Sequence, residues 1–224
     1  MCEAYGEQMK EEGELVGNIP FWEKTYRADN VMTFSATPNK TLTEIEPMLN
    51  KNADILEVGC GEGQNVLYLA KNGFQNIDAF DISEAGIAKL KRLCKLNDVH
   101  INAFACDLGK YRFDKSFDLI MSFATLCFVE KNVWKRFIGE AKKNTKIGGI
   151  HIMHIFTDEI PASADIADFA IGLAHNGEIK DLYDDWKVIN FQSYIFEDEH
   201  PGVPKHLHSV NKIVAQKTSH SLQL

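Results

Sequence analysis

Asp54-Ile55-Leu56-Glu57-Val58-Gly59-Cys60-Gly61-Glu62-Gly63 is the stretch that decides how this chain folds. A short apolar run that ends in glycine reads as a buried strand, and glycines at alternate positions call for a sharp turn. Gln64 to Asn72 then carries apolar residues at helical spacing and stops at Gly73. Strand, glycine turn and helix in that order form the first half of a parallel α/β unit.

The alternation continues outward from that unit. Ile77 to Asp81 reads as a second strand, and Ser83 as the cap of a helix that runs to about Leu96. Ile101 to Cys106 and Phe117 to Ser122 read as the third and fourth strands. Lys131 to Asn144 reads as a charged amphipathic helix, and Gly149 to Phe156 as a fifth strand after a Gly-Gly turn. Upstream, Lys40 to Asn50 has helical spacing at Leu42, Ile45 and Leu49. Such exchange of strand and helix predicts a parallel sheet with helices on both faces. Past Phe156 the pattern changes. Asp158 to Asn176 shows no strand, and its apolar residues Ile160, Ile166, Phe169, Ile171 and Leu173, mixed with acids, read as an amphipathic cover. Glu178 to Tyr183 reads as a short helix. Val188 to Glu197 and His206 to Gln216 read as an antiparallel hairpin at the end of the sheet.

In this setting the glycine turn points to a ligand. Parallel α/β sheets bind ligands at the carboxyl ends of their strands, and glycine lets a ligand approach the main chain closely. Dinucleotide sites carry GxGxxG, and phosphate loops end in GK[ST]. Here the spacing is GxGxG, Glu57 precedes it, Glu62 lies within it, and no lysine closes it. Carboxylates beside a pyrophosphate are unfavourable. They suit S-adenosylmethionine, which carries a sulfonium and an ammonium and no phosphate. Asp81 ends the second strand about twenty residues on, where a carboxylate accepts from ribose hydroxyls. Asp107 ends the third strand, placed to accept from the adenine amino group while Leu108 packs on the ring. Ser122-Phe123-Ala124 ends the fourth, next to the expected sulfonium.

Composition narrows the function classes. The 224 residues give 45% hydrophobic content and a formal net charge of -8, which disfavours a large basic face for nucleic acid. No apolar run approaches the roughly 20 residues of a membrane span, and Met1 to Gly17 lacks the apolar stretch of a signal peptide. A cytoplasmic protein that contacts neither nucleic acid nor membrane is expected, as a monomer or homodimer. The five cysteines show no CxxC pair and no metal-ligand spacing, so reduced thiols are expected and no metal site is assigned.

The order of these motifs resembles class I S-adenosylmethionine-dependent methyltransferases from about Phe21 to Lys217. More narrowly, the chain is similar to the tellurite-resistance (TehB-like) methyltransferase family. The residues that carry this likeness are Phe21-Trp22-Glu23-Lys24-Thr25-Tyr26, Asn65-Val66-Leu67-Tyr68-Leu69-Ala70, Leu182-Tyr183-Asp184-Asp185-Trp186 and Ile213-Val214-Ala215-Gln216-Lys217. The resemblance implies a Rossmann-like α/β fold with a seven-stranded, mostly parallel sheet whose last strand runs antiparallel. It implies that Glu57, Gly59, Cys60, Gly61, Asn65, Asp81, Ile82, Asp107, Leu108, Ser122, Phe123 and Ala124 surround the cofactor. It also implies that Trp22 and Tyr26 lie over the active site, and that S-adenosylhomocysteine is the product. Two places depart from that family: Gln64, where an arginine is common, and Glu199 to His208, where histidines replace an arginine-containing segment. The expected organisation is a mobile segment over 1–20 and a single methyltransferase domain over 21–217, with 158–176 as an active-site cover.

The acceptor is the open question in the sequence. Methyl transfer from a sulfonium is an in-line displacement with a neutral leaving group, so alignment and exclusion of water are the main demands. A soft nucleophile based on sulfur, selenium or tellurium needs little else, whereas a hydroxyl or amine gains from a general base. His151 and His154 fall on opposite faces of the fifth strand. His206 and His208 share a face of the last strand, with His200 across the turn, and these three are the catalytic candidates. They suit acceptor contact, a base or a metal. A silent S-adenosylmethionine sensor and an NAD-dependent oxidoreductase are the competing readings.

Overall fold

The glycine-tailed run forms the central strand β1 (Asp54–Val58), and the Gln64–Lys71 stretch that follows forms α3. A computed structural model describes residues 19–28, 37–200 and 203–219. The expected mobile segment 1–20 therefore lies outside the described residues except at Ile19 and Pro20. Two helices precede β1, namely α1 (Phe21–Tyr26) and α2 (Lys40–Ile45). After α3 come β2 (Asn76–Asp81), α4 (Glu84–Leu96), β3 (Asn102–Ala105), β4 (Phe117–Phe123) and α5 (Lys131–Lys143). The chain continues through β5 (Thr145–Phe156), α6 (Glu178–Asp181), β6 (Lys187–His200) and β7 (Val203–Gln216).

The seven strands form one sheet in the order β3-β2-β1-β4-β5-β7-β6. Strands β1 to β5 pair in parallel, and β7 runs antiparallel between β5 and β6. β1 has β2 on one side and β4 on the other. The strand order reverses there, and that switch point is where open α/β sheets carry their ligands.

Alternation along β1 gives the two layers. Ile55 faces a core built with Leu42, Val66, Leu69, Ile87 and Leu90 from α2, α3 and α4. Leu56 faces the opposite core, built with Trp134, Phe137, Ile138 and Ile179 from α5 and α6. Each of the leucine, isoleucine, valine and phenylalanine side chains among these stabilises the fold by about 1.5–3 kcal/mol on burial. Ser83 caps α4 as expected, accepting from the Gly86 amide at 3.0 Å.

Several expectations need correction. The helix over 40–50 stops at Ile45, and Glu46–Met48 tightens to a 3₁₀ turn around Pro47. β5 begins at Thr145, before the glycine pair. Its register against β4 shifts between Phe117 and Leu119, and Gly148 takes φ +82°, so the pair forms a bulge within the strand and not a turn ahead of it. Cys60, Cys94 and Cys127 hold free thiols, and Cys2 lies outside the described residues. No helix among the described residues is long and apolar enough to cross a membrane.

Candidate active site

A cavity of about 770 Å³ lies over the carboxyl ends of the parallel strands and reaches across to β7. Its volume falls in the usual ligand-pocket range of roughly 300–1,000 Å³. One end is built on the glycine turn. Gly59, Gly61 and Gly63 all take positive φ, which other residues adopt only at a cost. The turn is braced from the next strand: Asp81 accepts from the Gly61 amide through Oδ2 and from the Ser83 amide through Oδ1, each at 2.8 Å. Its carboxylate thus has a fixed orientation while it lines the cavity. Burial, the largest cause, raises its pKa.

Glu57 lies below the turn and is 2% exposed. Its Oε1 accepts from the Asn65 side-chain amide at 2.7 Å, and Asn65 in turn accepts from the Asn39 amide at 2.8 Å. Glu57 Oε2 is buried with no hydrogen-bond partner. Burial pushes this carboxyl up to about 8, although the Asn65 hydrogen bond opposes the shift. A buried acceptor atom without a partner, facing a cavity, calls for a cationic or donating ligand.

Glu62 behaves differently. It forms a buried ion pair with Lys89 at 2.7 Å, and Lys89 also reaches the Thr25 carbonyl at 3.4 Å. Lys89 thus ties α4 to the glycine turn and to α1, and Glu62 is not a bare anion beside a ligand, so the electrostatic reading of the turn rests on Glu57 and Asp81. Further along, Asp107 Oδ1 accepts from the Gly109 amide at 2.7 Å. Ile82 is 71% exposed on the cavity rim, and Leu108 is buried in its wall.

Most of the expected cofactor residues line this cavity: Trp22, Tyr26, Glu57, Gly59, Cys60, Gly61, Asn65, Asp81, Ile82, Asp107, Leu108, Phe123 and Ala124. Ser122 does not. It is fully buried, because strand alternation places Phe123, not Ser122, at the opening. Ala124 turns the chain out of β4 at φ +55°, a conformation rare for a residue with a Cβ and found more often at functional sites. Tyr26 packs its hydroxyl where a Cβ on Gly61 would fall, 2.3 Å away.

The other end joins parts that are distant in sequence. Trp22 meets Phe128, which follows β4, at 4.8 Å between ring centroids, and Phe169 of the 158–176 segment at 5.6 Å. The segment is pinned by the Gly172 amide donating to the Cys127 carbonyl and by the Trp134 indole donating to the Gly172 carbonyl, both at 2.9 Å. Asp165, Ile166 and Ile171 from this segment line the cavity, opposite His154, Phe156 and His208. Phe156 stacks on His208 at 4.3 Å, and His206 Nε2 lies 2.9 Å from His208 Nε2. The side chain of His200 lies outside the described residues, so the expected meeting of the three hairpin histidines is described only for His206 and His208.

The two β5 histidines separate as expected. His151 points away from the cavity, between Thr145 Oγ1 at 2.8 Å and Tyr183 Oη at 2.7 Å, and is a core residue. His154 faces the cavity against Phe123 at 4.8 Å. Burial lowers the pKa of each to about 3, so both are neutral. Cys127 is buried, its thiol pushed up to about 12, which removes it as a nucleophile. The sequence reading missed Asp165, Asn39 and Thr125. None belongs to a local motif. Thr125 is found through its contacts with the Gly59 and Phe123 carbonyls, each at 3.3 Å.

A glycine turn at the switch point, carboxylates at the ends of successive strands and an antiparallel β7 define the class I methyltransferase fold. Within it, this chain belongs to the family described as tellurite resistance protein TehB, whose model matches residues 26–200. A curated relative from Haemophilus influenzae, a probable S-adenosyl-L-methionine-dependent methyltransferase TehB, is 26% identical over 145 residues, 64% of this chain and 49% of the relative. The chain therefore spans about half the length of the curated relatives it matches. The crystal structure of TehB from Haemophilus influenzae superposes with a TM-score of 0.71 at 20% identity, over 80% of this chain and 62% of that one. The magnesium protoporphyrin IX methyltransferase of Synechocystis PCC 6803, solved with bound SAM, gives 0.58 at 14% identity, over 90% and 86%.

Proposed function

We propose that this chain binds S-adenosylmethionine at the glycine-turn end of the cavity and transfers its methyl group to a small-molecule nucleophile at the β7 end. When bound, the cofactor supplies an electrophilic methyl on a sulfonium. The observation that carries the reading is the partnerless Glu57 Oε2, buried in the cavity wall. An ammonium satisfies that atom, whereas a pyrophosphate placed there meets repulsion. The family membership supports the same reading.

Each residue then has a role. Glu57 holds the ammonium, with Asn65 fixing the carboxylate plane. Asp81, oriented by two backbone amides, accepts from ribose hydroxyls through its remaining lone pairs. Ile82 and Leu108 close on the two faces of the adenine, and Asp107 accepts from its amino group. Cys60, Phe123 and Ala124 wall the sulfonium. Trp22, Tyr26 and the 158–176 segment exclude water, which would otherwise compete for the reacting centre. Contact with the acceptor falls to His208 and His206, with His200 assigned from its hairpin position alone. Residues 21–217 act as one methyltransferase domain, and thiols, selenium or tellurium oxyanions and other small nucleophiles are the acceptor class.

Calorimetric titration with S-adenosylhomocysteine, followed by an acceptor screen with labelled methyl donor, tests this reading. The screen covers thiols, selenite, tellurite, amines and phenols. Micromolar binding and at least one labelled product are expected. Binding without any product turns the chain into a sensor, and failure to bind removes the reading altogether.

A further inference from the structure

We propose that Asp165, His206 and His208 form a three-ligand site for a divalent transition metal in the wall of the cavity, with its open position toward the acceptor. The ligand atoms already converge. Nε2 of His206 and Nε2 of His208 are 2.9 Å apart, and Asp165 Oδ2 lies 3.3 Å from the first and 3.9 Å from the second. A tetrahedral ion with bonds of about 2.0–2.2 Å sets its ligand atoms roughly 3.3 Å apart, and the three observed edges bracket that value.

The surrounding hydrogen bonds fix which atoms face the centre. His206 Nδ1 lies 2.7 Å from the Pro204 carbonyl, which can only accept, so Nδ1 carries a proton and the neutral ring presents its lone pair on Nε2. His208 Nδ1 lies 3.3 Å from Ser163 Oγ, whose own proton goes to Asp165 Oδ1. Ser163 therefore accepts from His208, and the neutral His208 ring likewise presents its lone pair on Nε2. The result is two imidazole lone pairs and a carboxylate oxygen aimed at one point. Asp165 Oδ2 accepts no hydrogen bond, and the Asp165 side chain is 1% exposed. The buried Asp165 Oδ2 lacks a hydrogen-bond donor, and a cation at the point where the three groups converge satisfies it. The carbonyl and hydroxyl that orient the rings are the outer-sphere partners seen at metal sites.

Two imidazoles and one carboxylate leave one or more positions for an exogenous ligand. His208 and Asp165 both line the cavity, so that position opens onto it. A thiol or hydroxyl acceptor bound there loses its proton to solvent and is held as the anion, the form that attacks a methyl group. This last role rests on the methyl-transfer reading above, but metal binding itself does not.

The test uses the full chain, stripped with EDTA and desalted, then titrated with Zn²⁺ by calorimetry and assayed for zinc after gel filtration. One zinc per chain is expected. Uptake should weaken more than about tenfold in Asp165→Asn and in His206→Gln, both close in shape to the parent residues. Circular dichroism and S-adenosylhomocysteine binding report that each variant is folded. Uptake well below one per chain overturns the site. So does uptake that persists in both variants, which assigns the zinc to cysteines. Cofactor binding without zinc uptake removes the metal and leaves methyl transfer standing, and zinc uptake without cofactor binding does the reverse.

Discussion

The two ends of the cavity are made in different ways. At the glycine-turn end, Glu57, Asp81 and Asp107 come from three strand ends within about fifty residues of chain, and the backbone amides of Gly61, Ser83 and Gly109 fix two of the carboxylates. At the β7 end, His154, Asp165 and His208 come from a strand, an irregular segment and a hairpin, and side chains hold one another in place. Backbone-fixed groups depend only on the strand-turn-helix geometry. Side-chain-fixed groups depend on several elements docking together, so they are easier to perturb singly and easier to vary. This difference suits the proposed division, with a constant cofactor at one end and a variable acceptor at the other.

The comparison can be broken most sharply at Asp81. Asp81→Ala removes two amide braces and the proposed ribose acceptor. With charged hydrogen bonds worth about 1.5–3 kcal/mol each, S-adenosylhomocysteine affinity should fall by about 100-fold or more in calorimetry. A loss under tenfold would mean that the glycine turn holds its shape without this carboxylate.

Glu57→Gln should weaken binding by about tenfold and also change its proton balance. The free Glu57 carboxyl sits at about 8, so at pH 7 it is mostly protonated, and a bound ammonium lowers its pKa. Binding to the parent protein should therefore release close to one proton, and affinity should rise as pH increases toward 8. Calorimetry in buffers of different ionisation enthalpy reads this release, and it should vanish in Glu57→Gln. At the other end, His206→Ala should leave cofactor affinity within about twofold and lower turnover by roughly tenfold, since general-base or metal contact contributes at least that much. Unchanged turnover with every accepted substrate would remove His206 from the reaction.

The smallest effect concerns acid stability. Burial holds His151 and His154 at about 3, below their ordinary value of 6.5. Each contributes stability that is present above 6.5 and is lost as pH falls toward 3, because the unfolded chain takes up the proton first. His154→Phe removes one of these protons. Urea unfolding across that window should show a shallower decline with pH for the variant.

How far the sequence reached follows the same division. The β1 to β5 alternation, the Ser83 cap and the acids at 57, 81 and 107 were legible because period and spacing are local. The position of Ser122 was not, since a one-residue difference in where β4 ends decides which side chain meets the cavity. The glycine pair at 148 and 149 was misread for a related reason, because a bulge and a turn share the same residues. Glu62 was read as an anion beside the cofactor, and only the packing of α4 brought Lys89 against it.

By itself the sequence determined the strand-helix alternation and the placing of the glycine turn and its acids at strand ends. Those depend on the backbone geometry of contiguous segments, which residue type and spacing constrain directly. The tertiary structure alone decided that Asp165 joins His206 and His208, and that Trp22, Phe128 and Phe169 close over the same space. These residues are brought together by the docking of an irregular segment onto a hairpin, and no periodicity in the chain encodes that approach.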